Sequence, residues 1–144
     1  MRNLLLSALI LAVGCASAAD RPASVAQPQI VIRQAGPLFF GSLSTTSVSI
    51  DVQVTNRASV PLRLREVDVS SPGMTQYTLQ RTTKLFNEVI PPGETRTVGL
   101  VATAIAQDTR SPMSEPLMVR AFLRFEAAGT SFREILTEQF VGSS

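Results

Sequence analysis

The sequence predicts an all-β fold, an antiparallel sandwich of seven or eight strands, and three observations carry that prediction. Apolar and polar residues alternate through several stretches. The strongest, Ser47 to Asn56, sets Val48, Ile50, Val52 and Val54 against Ser49, Asp51, Gln53 and Thr55, the period of two that buries one face of a strand and wets the other. Turn signals separate these stretches, the clearest being Pro91-Pro92-Gly93-Glu94, where Pro presets φ and Gly supplies positive φ. Helical spacing occurs in one place only, and there it competes with a strand reading.

The chain opens with an export signal, Met1 to Ala19. A positive start (Met1-Arg2-Asn3) precedes an apolar run, Leu4 to Val13, and then small residues, Gly14 to Ala19,. The run would span about 15 Å as a helix, whereas a bilayer core needs roughly twenty residues, so it reads as a removable leader and not as a span. Two cleavage readings stay open. Leu11-Ala12-Val13-Gly14-Cys15 has the form of a bacterial lipobox, in which Cys15 becomes the lipidated mature N-terminus. Ala16-Ser17-Ala18, or Ser17-Ala18-Ala19 before Asp20, suits an ordinary signal peptidase. The place of the sole Cys directly after the apolar run favours lipidation, and several acyl chains on it would give stable membrane anchoring.

Residues 20–28 are polar, Ala- and Pro-bearing and without periodicity, and are expected to form a flexible tether. The sandwich domain is then residues 29–144. Gln29 to Gln34 opens the first strand with Ile30-Val31-Ile32, and Gly36-Pro37 ends it. Leu38-Phe39-Phe40-Gly41 is a candidate short edge strand. After the strong Ser47 to Asn56 stretch, Asn56 to Ser59 turns the chain and Pro61 precedes the next strand. In Leu62 to Val69 the apolar set is Leu62, Leu64, Val67 and Val69. The alternation slips by one at Arg65-Glu66, which predicts a β-bulge, since an uncorrected slip would turn the later apolar side chains to water.

Gln76 to Arg81 reads as a short strand with Tyr77 and Leu79 on one face, and Leu85 to Ile90 as an apolar stretch ending at the Pro-Pro-Gly turn. Thr95 to Ile105 points Val98, Leu100, Ala102 and Ala104 inward. Gln107 to Pro116 is too long and polar for a tight hairpin and is expected to cross between sheets. Leu117 to Ala127 places Leu117, Val119, Ala121, Leu123 and Phe125 on one face, with Met118, Arg120, Phe122, Arg124 and Glu126 on the other. Ala128-Gly129-Thr130 closes a hairpin. In Ser131 to Val141 a helical reading with a capping box (Ser131, Glu134) competes with a strand that aligns Phe132, Leu136 and Phe140; hairpin pairing favours the strand.

Composition narrows the chemistry. The 144-residue chain has no His, no Trp, one Cys and one Tyr, and a formal net charge of +2. Without His the usual general base, zinc ligand and triad member is lacking, and no cofactor is expected. The near balance of charge leaves no basic footprint for nucleic acid.

Val52-x-Val54-x-Asn56, Val60-Pro61-Leu62-x-Leu64, the Tyr77 strand and Ile90-Pro91-Pro92-Gly93-Glu94-x-x-x-Val98 together resemble the small immunoglobulin-like β-sandwiches of bacterial envelope lipoproteins. Over about Ile30 to Ala106 the order is also similar to the late-embryogenesis-abundant type 2, or water-stress, domain, although Arg57 follows Asn56 where that family carries Asn-Pro. The resemblance implies an immunoglobulin-like sandwich and brings no catalytic residues.

Among candidate sites, Glu66 and Asp68 lie two apart on one strand, the arrangement from which paired carboxylates cleave glycosides; a wet sheet face explains the same spacing. Lys84 beside a Ser is a conceivable nucleophilic dyad, but reads first as a charged guard on a strand edge. Binding candidates are Phe39 and Phe40, as an apolar patch, and the row Arg120, Phe122 and Arg124, since Arg and aromatic residues concentrate at interfaces. The expectation is therefore an exported, lipid-anchored, non-catalytic protein of a bacterial periplasm or cell envelope, acting as a binding or assembly module for an envelope protein partner. The alternatives are a carboxylate-dependent hydrolase of envelope polysaccharide and a structural subunit of a surface or secretion apparatus.

Overall fold

A computed structural model describes residues 21–38, 45–73, 75–107 and 116–141. Eight strands run in the order β1 (Gln29–Gln34), β2 (Thr45–Thr55), β3 (Leu62–Ser70), β4 (Tyr77–Leu79), β5 (Thr82–Ile90), β6 (Thr95–Ala106), β7 (Leu117–Ala127) and β8 (Thr130–Phe140). They form two four-stranded sheets, β1-β2-β6-β4 and β5-β3-β7-β8, and every pairing is antiparallel. The expected all-β, two-sheet, antiparallel architecture is what the chain adopts. Because β6 belongs to the first sheet and β7 to the second, the connection after β6 crosses between sheets as its length suggested.

The core lies between the sheets and is built from the inward half of each alternating strand. Val48, Ile50, Val52 and Val54 of β2 face Leu117, Val119, Ala121, Leu123 and Phe125 of β7, all at 1% exposure or less. Segment 131–141 settles as a strand because its pairing with β7 runs unbroken from Ala127↔Thr130 to Leu117↔Phe140. The hairpin turn between them has Ala128 at φ 49° and Gly129 at φ 75°, the paired positive φ values of a two-residue turn whose twist matches the strands. The loop is thus one residue shorter than Ala128-Gly129-Thr130.

The predicted bulge is present. The ladder shifts between Leu64 and Glu66 against both β5 and β7. As a result Leu62 and Leu64 before it, and Val67 and Val69 after it, are all buried at 1% or less. On the outer side the same shift sets Glu66 opposite Arg124 and Asp68 opposite Phe122.

One expectation needs correction. Segment 21–28 is not a free tether over its described length. Val25 is 3% exposed and joins the core, and Val25 N–H donates to the Pro22 carbonyl at 2.9 Å. Arg21 reaches Glu134 of β8 at 3.1 Å, and Gln27 donates to the other Glu134 oxygen at 3.2 Å. Glu134 is on the same side of β8 as Phe132, at 4% exposure; a carboxylate there has lost most of its water and needs paired donors. The strap is thus the counterpart of a buried charge. Arg21→Ala should therefore destabilise the domain by about 1–2 kcal/mol, less than for a fully buried pair because Arg21 retains some solvent. In the Glu134→Gln background the same change should cost markedly less; equal losses in urea melts of the two backgrounds would disprove the coupling.

Candidate functional site

The second sheet turns to solvent a face that collects most of the charged side chains singled out in the sequence. Antiparallel partners directly opposite point to the same side. The β3–β7 register Glu66↔Arg124, Asp68↔Phe122 and Ser70↔Arg120, together with the β7–β8 register Phe122↔Ile135 and Arg124↔Arg133, assembles one continuous outer patch. At its centre is a hollow of about 170 Å³ lined by Glu66, Asp68, Arg81, Phe122, Arg124 and Arg133.

Each carboxylate of the hollow is committed to a guanidinium. Asp68, only 4% exposed, accepts from Arg81 at 2.6 Å and 2.8 Å and from the Thr83 hydroxyl at 3.0 Å. The Asp68 hydrogen bond, with its charge, raises the Arg81 guanidinium above its ordinary value, so Arg81 is a fixed positive charge at any workable pH. Glu66 pairs with Arg124 at 3.0 Å. Arg133 stands directly opposite Arg124, and among the described residues it has no carboxylate within ion-pair distance. Two like charges facing each other across a ladder destabilise it.

A second hollow, of about 340 Å³, opens at the hairpin end of the sheet between Pro61, Arg63, Val89, Glu126 and Ala128. Bridging the two, the bulge residue Arg65 pairs with Glu126 at 3.2 Å, and Arg63 and Arg65 both donate to the Asn87 side-chain oxygen at 2.6 and 2.9 Å.

The sequence candidates fall as follows. Arg120, Phe122 and Arg124 share the outer patch, and Glu66 and Asp68 stand beside them. Lys84 is elsewhere: opposite buried Val67 on the inward side of β5, it donates to the Gly99 carbonyl of the facing sheet at 2.7 Å and lies 5.2 Å from the Phe86 ring centre. There it closes the open edge of the sandwich, with its ammonium engaged on a main-chain oxygen. Cys15, Phe39 and Phe40 lie outside the described residues. Two contributors were missed in the sequence, Arg81 and Arg133. Arg81 comes from a loop and carried no signal. Arg133 follows from the hairpin register once the turn is known to hold two residues. Among the described residues no group of three or more Cys, Asp or Glu side chains is placed to hold a metal ion.

No protein-family model matches the chain, and no curated protein matches it. Solved structures do. A Northeast Structural Genomics Consortium target, SoR45, superposes with a TM-score of 0.54 at 8% identity over 84% of this chain and 89% of its own. A Bordetella pertussis protein provisionally named ApaA superposes with a TM-score of 0.53 at 15% identity, over 81% and 92% respectively. At such identities the likeness concerns the β-rich fold alone.

Proposed function

We propose that the chain is an exported bacterial envelope protein, lipid-anchored through Cys15, whose sandwich serves as a non-catalytic binding module using the outer face of the β5-β3-β7-β8 sheet. One observation carries the binding half of this reading. The Arg120–Phe122–Arg124 row lies in the middle of a sheet face whose hollow is bordered by three guanidiniums, the residue types that dominate interface energetics. The leader and the lipobox form of Leu11 to Cys15 support the anchoring half.

The strand order also supports the finer, immunoglobulin-like reading of the fold. Taking β1-β2-β6-β4 as strands A, B, E and D, and β3-β7-β8 as C, F and G, accounts for seven strands in the order of such sandwiches,. β5 is then an added edge strand beside C.

The geometry argues against the hydrolase alternative. Acid–base cleavage by paired carboxyls needs one held protonated and the other free to act on substrate or water, whereas Asp68 and Glu66 are each engaged by an arginine. Intact mass spectrometry of the protein extracted from envelopes tests the anchored reading: an N-terminal acylated Cys15 is expected. A free N-terminus at Ala19 or Asp20 would refute anchoring.

A further inference from the structure

We propose that the outer face of the second sheet binds an extended acidic segment of a partner protein, its acidic side chain seated between Arg124 and Arg133 and an apolar side chain four residues away in the hollow beside Val89. The inference rests on the binding-module reading and names the partner's chemistry.

Charge asymmetry comes first. Six guanidiniums (Arg63, Arg65, Arg81, Arg120, Arg124, Arg133) meet three carboxylates (Glu66, Asp68, Glu126) on this face. The face thus carries a net +3 in a chain whose formal net charge is only +2, so positive charge is concentrated here and the remainder is slightly negative. Such concentration steers and orients an oppositely charged partner.

The Arg124–Arg133 pair is the second argument. Asp68 and Glu66 neutralise Arg81 and Arg124, but Arg133 is left facing Arg124 without a counter-charge among the described residues. A carboxylate placed between them relieves the repulsion and accepts charge-assisted hydrogen bonds, with the planar fork of Arg suited to two-point contact.

Size and spacing select the occupant. At about 170 Å³ the central hollow is smaller than the about 300–1,000 Å³ of small-molecule sites, and fits a single side chain. The second hollow opens about 13 Å away along β7, since Phe122 and Glu126, which line the two hollows, are four residues apart in the strand at about 3.3 Å per residue,. Its wall joins apolar Pro61, Val89 and Ala128 to the charged Arg63 and Glu126, and an apolar side chain would seat on its Val89 side; Val89 is 41% exposed, and Leu85 of the same strand 71%. An even spacing of four puts both side chains on one side of an extended chain. A membrane of anionic lipid would satisfy the charge but not two discrete hollows at peptide spacing.

Arg133→Glu is the informative variant. It replaces a like-charge pair by a carboxylate facing Arg124, so folding is preserved, with a melting temperature equal to or above that of the wild type, while the anion seat is lost. Random-peptide display against the exported protein as purified should enrich sequences with Asp or Glu four residues from a Leu, Ile, Val or Phe. For an enriched peptide, Arg133→Glu and the peptide's own Glu→Gln change should each weaken binding at least tenfold. Enrichment without acidic residues, or insensitivity to Arg133→Glu, would overturn this proposal while leaving a binding module standing. No enrichment of any peptide would overturn both. Phosphatidylglycerol vesicles that sediment the wild type but not Arg133→Glu, without an acidic peptide, would overturn it in favour of a lipid surface.

Discussion

Asn56→Ala is expected to destabilise the domain by about 3 kcal/mol, because one side chain serves three main-chain groups, two of them in buried bonds and one in a half-buried bond,. Asn56 is 1% exposed. Its amide nitrogen donates to the Val60 and Ile90 carbonyls, each at 2.8 Å, and its oxygen accepts from Ala58 N–H at 2.9 Å. The main chain joins in: Asn56 N–H donates to the Glu94 carbonyl and Gly93 N–H to the Asn56 carbonyl, both at 2.9 Å. One residue thus holds the β2–β3 turn against the Pro91–Glu94 turn of the other sheet boundary. Each buried group left unsatisfied costs about 1–3 kcal/mol, and water entry recovers part of the total. Asn56→Asp keeps the acceptor but aims a carboxylate at two carbonyl oxygens, so it should lose at least as much. Chemical denaturation of both variants checks the account. An Asp variant as stable as wild type would show that the two donated bonds contribute nothing.

Phe125→Ala should cost more, about 4 kcal/mol and a fall in Tm of roughly 15 °C for a domain of this size. Phe125 is wholly buried, near the hairpin end of β7. It stands opposite Phe132 in the β7–β8 ladder, with ring centres 5.5 Å apart at an interplanar angle of 27°. Truncation removes the transfer energy of the ring and leaves a cavity that two stiff sheets cannot collapse to fill. Phe125→Leu, which keeps most of the volume, should lose less than half as much in the same thermal melts. Equal losses for Ala and Leu would point to the aromatic pair, and not to the cavity, as the dominant effect.

The strands and their buried faces were legible because alternation is a local property. β1 and β2 follow from Ile30 to Ile32 and Val48 to Val54, and the bulge at Arg65 from a slip in the apolar spacing of Leu62, Leu64, Val67 and Val69. Half of the candidate site was legible in the same way: once β7 is a strand, Arg120, Phe122 and Arg124 share its outward side. What escaped depended on register. A three-residue β7–β8 loop would have placed Arg124 opposite Glu134, an ordinary cross-strand ion pair. The two-residue turn at Ala128-Gly129 shifts the ladder by one, so Arg133 faces Arg124 and Glu134 turns inward.

The amino-acid order by itself therefore determined an all-β chain and, in most of its strands, which side chains are core, since hydrophobic period and turn residues act over a few positions. Only the tertiary structure decided that Arg21 and Gln27 would fold back to neutralise Glu134, that Asp68 would be held by Arg81, and that Arg133 would complete the charged hollow. These outcomes join residues far apart in the chain or hang on a one-residue difference in a turn, and the charges involved have no periodicity to betray their partners.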